Sequence, residues 1–228
     1  MENRQPITRK NNFPQIKVCG FTNVEEMITC ASLGADAVGF VFYPKSPRNV
    51  TEDQAREMAL AVPPDVTPVG VFVNETFSAI MRKVERCFLR AVQLHGRESP
   101  GLVSRLQKEK LPVIKALFSE GSPSFKDVSN YAASAYLVEC GKGLLPGGNA
   151  LIWDWKEAKR LGDAYPRILA GGLTPENVYD AVTAGEPDAV DVCSGVESAP
   201  GRKNLEKVKA FIDAVSRCDL RKNLRRIF

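Results

Sequence analysis

Short apolar runs alternate with amphipathic stretches eight times along the 228-residue chain, and this alternation limits the possible folds more than any other feature. Short, β-branched apolar runs are typical of buried strands, and apolar residues at helical spacing are typical of helices. The predicted strands are residues 15–18, 37–42, 67–73, 91–94, 113–117, 135–139, 167–169 and 189–192. The predicted helices are residues 24–33, 51–62, 76–86, 99–110, 125–133, 155–161, 174–184 and 204–218. Apolar strands that alternate with helices predict an α/β fold, in which helices cover a parallel sheet.

Such a sheet is either open and doubly wound or closed into a barrel. Eight units in residues 13–216 leave about 25 residues per unit, near the lower end of the range for (β/α)8 barrels. The first strand is not followed by the GxGxxG pattern of a dinucleotide-binding sheet. We therefore predict a single-domain (β/α)8 TIM barrel at residues 13–216. A polar basic N-terminal arm (residues 1–12) precedes it, and a basic C-terminal tail (residues 217–228) follows it.

Several helix boundaries have local chemical markers. Thr51 and Gln54 have the spacing of a capping box at the start of the second helix. Thr174 is followed by proline and glutamate, which predicts a helix N-terminus at that point. Gly34 and Gly185 stand where a helix C-terminus needs a left-handed residue.

The composition excludes several classes of protein. With 25% charged and 44% hydrophobic residues, the chain resembles an ordinary globular protein. No apolar run reaches the roughly 18 residues of a membrane span, and the polar first residues contain no signal-peptide core. We therefore expect a cytoplasmic protein that does not contact a membrane. The six cysteines form no CxxC pair, so a disulfide framework, a zinc site and a redox dithiol lack their usual sequence signs.

The net charge of +4 is concentrated at the two ends of the chain. Residues 1–12 carry a net +2 and residues 217–228 a net +4, which leaves −2 for the body. A nucleic-acid-binding protein needs a basic face on its folded body. We therefore expect no nucleic-acid partner.

Chemically capable residues follow several predicted strands. In barrel enzymes the active site lies at the C-terminal ends of the strands and in the loops that follow them. The side chains predicted at these positions are Cys19, Arg48, Gln93, His95, Glu139 and Asp191. We predict that they surround one site, to which Gln93, His95 and Asp191 contribute contacts with the substrate.

Two pairs of small residues predict a phosphate site. Gly171 and Gly172 follow the seventh strand, and Ser194 and Gly195 follow the eighth. Barrel enzymes often bind phosphate at these two loops, where uncovered backbone N–H groups favour an anion. Tight turns that need glycine are the alternative explanation, and the position of both turns favours the phosphate.

The individual side chains leave alternatives open. Cys19 is either a small buried residue or a reactive thiolate. Glu139 ends an apolar strand, so its carboxyl either faces the barrel mouth or pairs with a cation. Arg48 has the geometry to hold a carboxylate through two N–H groups, or it forms a surface ion pair. His95 is the only histidine, and a histidine at the end of a strand is more often structural than catalytic.

These segments together resemble the phosphoribosylanthranilate isomerase family of tryptophan biosynthesis. The matching stretches are KVCGFTN (17–23), GADAVGFVFYPKSPRNV (34–50), VGVFVN (69–74), VQLHG (92–96), ILAGGLTPENV (168–178) and DAVDVCSGVES (188–198). They occur in the family's order over residues 16–215. The resemblance implies a (β/α)8 enzyme without a cofactor or a metal ion, which converts N-(5-phosphoribosyl)anthranilate to 1-(2-carboxyphenylamino)-1-deoxyribulose 5-phosphate by an Amadori rearrangement.

The resemblance also implies roles for single residues. Cys19 corresponds to the general base and Glu139 to the general acid, and Arg48 corresponds to the contact with the anthranilate carboxylate. The loops of Gly171, Gly172, Ser194 and Gly195 correspond to the phosphate site. As a base at neutral pH, Cys19 needs a lowered pKa, and the helix N-terminus that follows it is a possible source.

One departure from the family pattern touches the chemistry. The family usually has Asp where this chain has Glu139, and a displaced carboxyl lowers the rate steeply, by about a hundredfold per ångström. A catalytically impaired phosphosugar-binding barrel is therefore the alternative to an active isomerase. Cys193 stands where Ser is common, a change that we expect to be tolerated. A third interpretation is another phosphosugar enzyme, such as a metal-dependent epimerase. That enzyme would need several metal-binding histidines, and this chain has one histidine. The sequence leaves open whether the protein is a monomer or a homodimer.

Overall fold

The computed structural model describes residues 12–142, 151–220 and 222–228. The predicted basic arm, residues 1–12, lies outside the described residues except for Asn12. Among the described residues, no helix has the length and apolar character that crossing a membrane requires.

All eight predicted strands are present, and they close into a barrel. Five have the predicted bounds, and three differ by one residue at the C-terminal end. The strands are β1 (Gln15–Cys19), β2 (Ala37–Phe42), β3 (Thr67–Phe72), β4 (Ala91–Leu94), β5 (Val113–Phe118), β6 (Ala135–Glu139), β7 (Arg167–Leu169) and β8 (Ala189–Val192). Each strand pairs in parallel with the next, and β8 pairs with β1. The predicted (β/α)8 barrel is therefore confirmed.

Among the described residues, six α-helices cover the outside of the barrel. They are α1 (Val24–Leu33), α2 (Glu52–Ala61), α3 (Phe77–Arg86), α4 (Pro100–Lys108), α5 (Val178–Gly185) and α6 (Leu205–Ser216). Where α-helices are predicted after β5 and β6, the chain forms 3-10 helices at Phe125–Asn130 and Trp155–Leu161. The capping box of Thr51 and Gln54 is formed as predicted.

The predicted left-handed residue at Gly34 is present, with φ of 116°. The two predicted ends of α5 need correction. Gly185 is not left-handed, because it is the last residue of α5 and the left-handed residue is Glu186. Space explains the glycine at 185, since a Cβ atom there would lie 3.0 Å from the Trp155 carbonyl oxygen. Helix α5 begins at Val178 rather than Thr174, although a hydrogen bond from Val178 N to Thr174 O, 3.0 Å long, forms a turn before it.

The apolar core has two layers. The larger layer lies between the sheet and the helices and contains outward-facing strand residues such as Val18, Phe40 and Val190. The smaller layer fills the inside of the barrel with many small residues, including Ala37, Ala91, Ala116, Ala135 and Ala189. Small side chains suit a narrow interior, where opposite strands face each other. Above this layer the interior becomes polar towards the mouth of the barrel.

The C-terminal residues close the opposite end, which we call the bottom of the barrel. Phe228 is 9% exposed and joins the inner apolar layer. The side chain of Gln15, at the start of β1, accepts hydrogen bonds from the backbone N–H groups of Ile227 (2.6 Å) and Phe228 (3.1 Å). Arg225 forms a 2.8 Å ion pair with Asp188, which is 1% exposed. The end of the basic tail therefore packs onto the barrel.

Candidate active site

One cavity at the mouth of the barrel collects nearly all of the predicted site residues. It is lined by Cys19, Arg48, His95, Glu139, Gly171, Gly172, Asp191, Ser194 and Gly195, together with Cys193 and Cys140. Gln93 is the exception, because it is buried beneath His95 and bonds to that ring. The closure of the barrel brings these residues together, since they come from six different strand ends.

A buried ion pair lies beneath Cys19. Lys17 is fully buried, and its Nζ atom lies 2.9 Å from Oδ1 of Asp191. Burial lowers the pKa of Lys17, but Asp191 and Cys19 outweigh this effect and raise it above its usual value, so that Lys17 stays charged. Gly39 on β2 leaves room for both groups, because a Cβ atom there would lie 2.6 Å from Cys19 Sγ and 3.1 Å from Lys17 Nζ. Lys17 and Gly39 are not among the site residues that were predicted from the sequence.

Cys19 and Cys193 form a coupled pair of thiols. The pKa of Cys19 is raised well above its usual value, first because its thiol donates a hydrogen bond to Cys193 and then because it is buried. The same hydrogen bond, with help from Lys203 and Arg48, lowers the pKa of Cys193 to about 7 against the effect of burial. The lowered pKa that was expected for Cys19 is therefore found at Cys193. The pair of thiols loses its first proton near neutral pH.

Arg48 is held by an acidic partner that the sequence analysis does not identify. Its Nε and Nη2 atoms donate to the two carboxylate oxygens of Glu197, at 2.9 and 2.6 Å. Lys203 also contacts Glu197, with Nζ 2.8 Å from Oε1. This bidentate bond raises the pKa of Arg48. The guanidinium is thus fixed at the edge of the cavity, where Glu197 occupies two of its three nitrogen atoms.

Glu139 belongs to a chain of three buried polar side chains. Its Oε1 atom lies 3.0 Å from Nε2 of His95, and Nδ1 of His95 lies 2.9 Å from Nε2 of Gln93. Burial lowers the pKa of His95, but the nearby Glu139 carboxylate more than offsets this and raises it. In the described part of the chain, Oε1 of Gln93 has no hydrogen-bond partner. His95 is therefore primarily a partner of Glu139.

The two glycine-containing loops lie against each other at the wall of the cavity. Gly171 and Gly172 have φ of 85° and 67°, a conformation that favours glycine. A Cβ atom at Gly172 would lie 2.7 Å from the Leu151 carbonyl oxygen, and one at Gly195 would collide with the Leu173 carbonyl oxygen. The close approach of two backbones therefore explains these glycines without a ligand. It also leaves the backbone of both loops uncovered by side chains at the cavity wall.

Comparison with known proteins agrees with this geometry. The sequence matches the family described as N-(5'phosphoribosyl)anthranilate (PRA) isomerase over residues 16–214. The chain belongs to this family. The N-(5'-phosphoribosyl)anthranilate isomerase of Desulfatibacillum aliphaticivorans is 49% identical over 214 residues, which cover 94% of this chain and 98% of that protein. The isomerase of Syntrophus aciditrophicus is 41% identical, over 89% of this chain and 87% of that protein.

Solved structures of PRA isomerases share the same barrel. The enzyme of Thermotoga maritima superposes with a TM-score of 0.81 at 39% identity, over 89% of this chain and 98% of that one. A second isomerase structure, with a TM-score of 0.78 and 38% identity over the same shares, contains reduced 1-(o-carboxyphenylamino)-1-deoxyribulose 5-phosphate. The Thermotoga maritima protein is described as dimeric.

Within residues 12–142, 151–220 and 222–228, no three or more His, Cys, Asp and Glu side chains are grouped as metal ligands. The cations at the mouth, Lys17, Arg48 and Lys203, are each paired with a carboxylate. What the site offers chemically is a carboxyl held by an imidazole, a pair of thiols and uncovered backbone.

Proposed function

We propose that this chain isomerises N-(5-phosphoribosyl)anthranilate to 1-(2-carboxyphenylamino)-1-deoxyribulose 5-phosphate in tryptophan biosynthesis. The observation that carries the proposal is the cavity in which Glu139 and Cys19 meet, in a chain of this family. An acid and a base in one cavity are what the rearrangement needs, because one proton is added to the ring oxygen and another is removed from C2′.

Glu139 is the general acid in this proposal. It protonates the furanose ring oxygen, the C1′–O bond breaks, and the ring opens to a Schiff base. The hydrogen bond between His95 and Oε1 of Glu139 leaves Oε2 as the oxygen that carries the proton. When Nδ1 of His95 accepts from the amide of Gln93, its Nε2 carries the hydrogen and donates to Glu139. His95 and Gln93 thus position the acid, which fixes the place of a side chain one methylene longer than Asp.

Cys19 is the general base. The thiol pair holds one proton between two sulfur atoms near neutral pH, and Cys19 is the thiolate when that proton lies on Cys193. The buried ammonium of Lys17 favours this form, since it lowers the pKa of Cys19. The thiolate then removes the C2′ proton, and the resulting enolamine tautomerises to the ketone.

The two ends of the substrate bind at opposite sides of the cavity. The phosphate lies at the backbone of Gly171, Gly172, Ser194 and Gly195, where N–H groups stabilise an anion. The anthranilate carboxylate binds Arg48, whose orientation Glu197 fixes while one terminal nitrogen remains available. Asp191 holds Lys17 beneath the reacting carbon and contacts the substrate from below.

Turnover by the purified protein tests this function. The wild type is compared with Cys19→Ser, Glu139→Gln and Glu139→Asp, and formation of the deoxyribulose phosphate is measured. We expect turnover by the wild type and by Glu139→Asp, and a severe loss in the other two variants. Cys140→Ser is the matched control, because Cys140 lines the same cavity and has no part in the proposed chemistry.

Two results would contradict the proposal. Full activity of Glu139→Gln would show that the acid is a different group. Binding of a product analogue by a wild type without turnover would favour the impaired phosphosugar-binding barrel. Complementation of a strain that lacks this isomerase separates the two cases inside a cell. The cytoplasmic location stays a prediction, and monomer and homodimer stay open alternatives.

A further inference from the structure

Cys19 is the last residue of β1, and Cys193 directly follows the last residue of the neighbouring β8, although 173 residues separate them in the sequence. Strands β1 and β8 pair in parallel with Val18 opposite Val192, and each cysteine is the next residue. Two residues earlier in the same register, Lys17 and Asp191 face each other inside the barrel and form a 2.9 Å ion pair. Both cysteines line the cavity at the mouth of the barrel, above this ion pair.

This arrangement satisfies the geometry of a disulfide. Neighbouring strands lie about 4.8 Å apart, and disulfides form between Cα atoms about 4.4 to 6.8 Å apart. The two thiols are also close enough to shift each other's pKa. The spacing of the two strands therefore places a bond between Cys19 and Cys193 within reach.

The surroundings make Cys193 the more reactive of the two thiols. Its Sγ atom lies 4.0 Å from Nζ of Lys203 and 3.9 Å from Oε1 of Glu197, and the guanidinium of Arg48 is also nearby. The cations outweigh the single carboxylate and favour the thiolate, which is the form that reacts with oxidants. Both cysteines line the open cavity, so that a molecule as small as a peroxide reaches them.

We propose that Cys193 is a site of oxidation and that it forms a reversible disulfide with Cys19 in the presence of a hydroperoxide. In the first step the Cys193 thiolate attacks one peroxide oxygen, the O–O bond breaks, and hydroxide (or alkoxide) leaves a sulfenic acid on Cys193. In the second step the Cys19 sulfur attacks the sulfenic sulfur. The S–S bond forms, the S–O bond breaks, and the Cys19 proton leaves with the hydroxide as water. The two sulfur atoms together give up two electrons, and the peroxide accepts them.

The disulfide takes away the thiol that acts as base, so activity becomes dependent on the redox state. This consequence rests on the proposed isomerase function, whereas formation of the bond does not. A dithiol reductant reverses the reaction by thiol–disulfide exchange and becomes oxidised itself. A serine at position 193 would have no such chemistry, so the redox response depends on the cysteine at this position.

Peroxide treatment of the reduced, full-length protein tests the proposal. Three quantities are followed against hydrogen peroxide: PRA turnover, free thiols and cysteine peptides separated without reductant. We expect the wild type to lose turnover together with two thiols per chain, to yield a peptide pair that joins Cys19 to Cys193, and to regain turnover with dithiothreitol. Cys140→Ser is the matched control and responds in the same way, because Cys140 lines the cavity but does not take part.

Cys193→Ser provides the contrast. Relative to its own untreated rate, it is expected to lose turnover about tenfold more slowly, because the thiol at which oxidation begins is absent and burial still raises the pKa of Cys19. It yields no linked peptide. The proposal fails if the wild type is inactivated without a Cys19–Cys193 peptide, or if Cys193→Ser is inactivated and rescued like the wild type. If the untreated wild type does not turn over PRA, the proposed function fails, and the peptides and thiol count still decide whether the bond forms.

Discussion

The mouth and the bottom of the barrel are formed by the same eight strands but differ in how they place charged and apolar side chains. At the mouth, charged side chains surround an open cavity in partly satisfied sets, such as Lys17 with Asp191 and His95 with Glu139. At the bottom, the aromatic ring of Phe228 fills the interior, and the buried carboxylate of Asp188 accepts hydrogen bonds from Arg167 and Arg225. Side chains at the mouth line a cavity in which a ligand can contact them, whereas Asp188 at the bottom is bonded within the protein.

The mouth of the barrel serves chemistry, and the bottom serves stability. Burying a charge is costly unless it is paired, and the mouth bears this cost because a reaction needs charged groups away from water. The bottom gains stability from apolar burial and hydrogen bonding. Substitutions of side chains that line the cavity should therefore change turnover more than folding, and those at the bottom should do the reverse, whereas the buried Lys17 beneath the cavity is expected to serve both.

Glu139→Gln is the sharpest test of the mouth. We expect the turnover number to fall by about 10² to 10⁴, the usual contribution of a general acid, because the amide cannot give up a proton to the ring oxygen. The unfolding midpoint should change little, since Gln keeps a hydrogen bond to His95. Turnover and urea unfolding are measured on the same preparation. A loss of stability that parallels the loss of turnover would break the contrast between the two ends.

Lys17→Met tests whether the buried ion pair makes the mouth also a structural element. Removing the ammonium leaves Asp191 buried without its partner, which costs about 3–5 kcal/mol in the free energy of unfolding. Urea denaturation measures this loss. The double variant Lys17→Met with Asp191→Asn should recover part of the stability because it removes the uncompensated charge. If the single variant is as stable as the wild type, the pair contributes nothing to folding.

Phe228→Ala tests the bottom. Loss of the ring from the inner apolar layer should lower the free energy of unfolding by about 3 kcal/mol. Turnover at a temperature where the variant is folded should stay unchanged, because the cavity lies at the other end. Phe88→Ala is the matched control, since Phe88 is 50% exposed and its loss should have a small effect. Equal stability of the two variants would show that the tail does not seal the barrel.

Asp188→Asn tests the bottom with the smallest expected effect, about 1.5 kcal/mol at pH 7 for weakened hydrogen bonds to a charged group. Burial raises the pKa of Asp188, but Arg225, Lys222 and the backbone N–H of Arg167 outweigh it, so the pKa in the folded protein lies below its usual 3.8. This carboxylate therefore stabilises the fold above that pH, and its contribution is lost as the pH falls through the lowered value.

The measurement for Asp188→Asn is urea unfolding at pH 7 and near pH 3. The stability difference between the wild type and the variant should shrink at the lower pH, where the wild-type carboxyl takes up a proton. A difference that stays constant or grows as the pH falls would contradict the assigned role of the carboxylate.

Much of the fold could be predicted because parallel strands are buried on both faces. Strands such as Ala37–Phe42 and Ala135–Glu139 are apolar nearly throughout, so composition alone marks their bounds. Capping also depends on neighbouring residues, and the capping box of Thr51 was therefore predictable. Gly185 was not, because its reason is the contact with Trp155 across a helix interface rather than a local backbone conformation.

The candidate site was predictable to the extent that strand ends converge. Cys19, Glu139 and the two glycine loops follow strands, and any closed barrel brings such positions together. The partners of these residues were not predictable. Glu197 holds Arg48 from 149 residues away, and nothing in the local sequence of either residue indicates the other. The lowered pKa likewise belongs to Cys193, because its surroundings come from three separate segments of the chain.

The alternation of strands and helices, the barrel and the family could be read from the sequence, because burial patterns and motifs are local. Which groups pair depends on the folded chain. The register of β1 against β8 places Lys17 opposite Asp191 and Cys19 beside Cys193, and the closure of the barrel creates that register between the first strand and the last. Six cysteines without a CxxC pair gave no sign of a dithiol, and it is the meeting of distant strands that makes one.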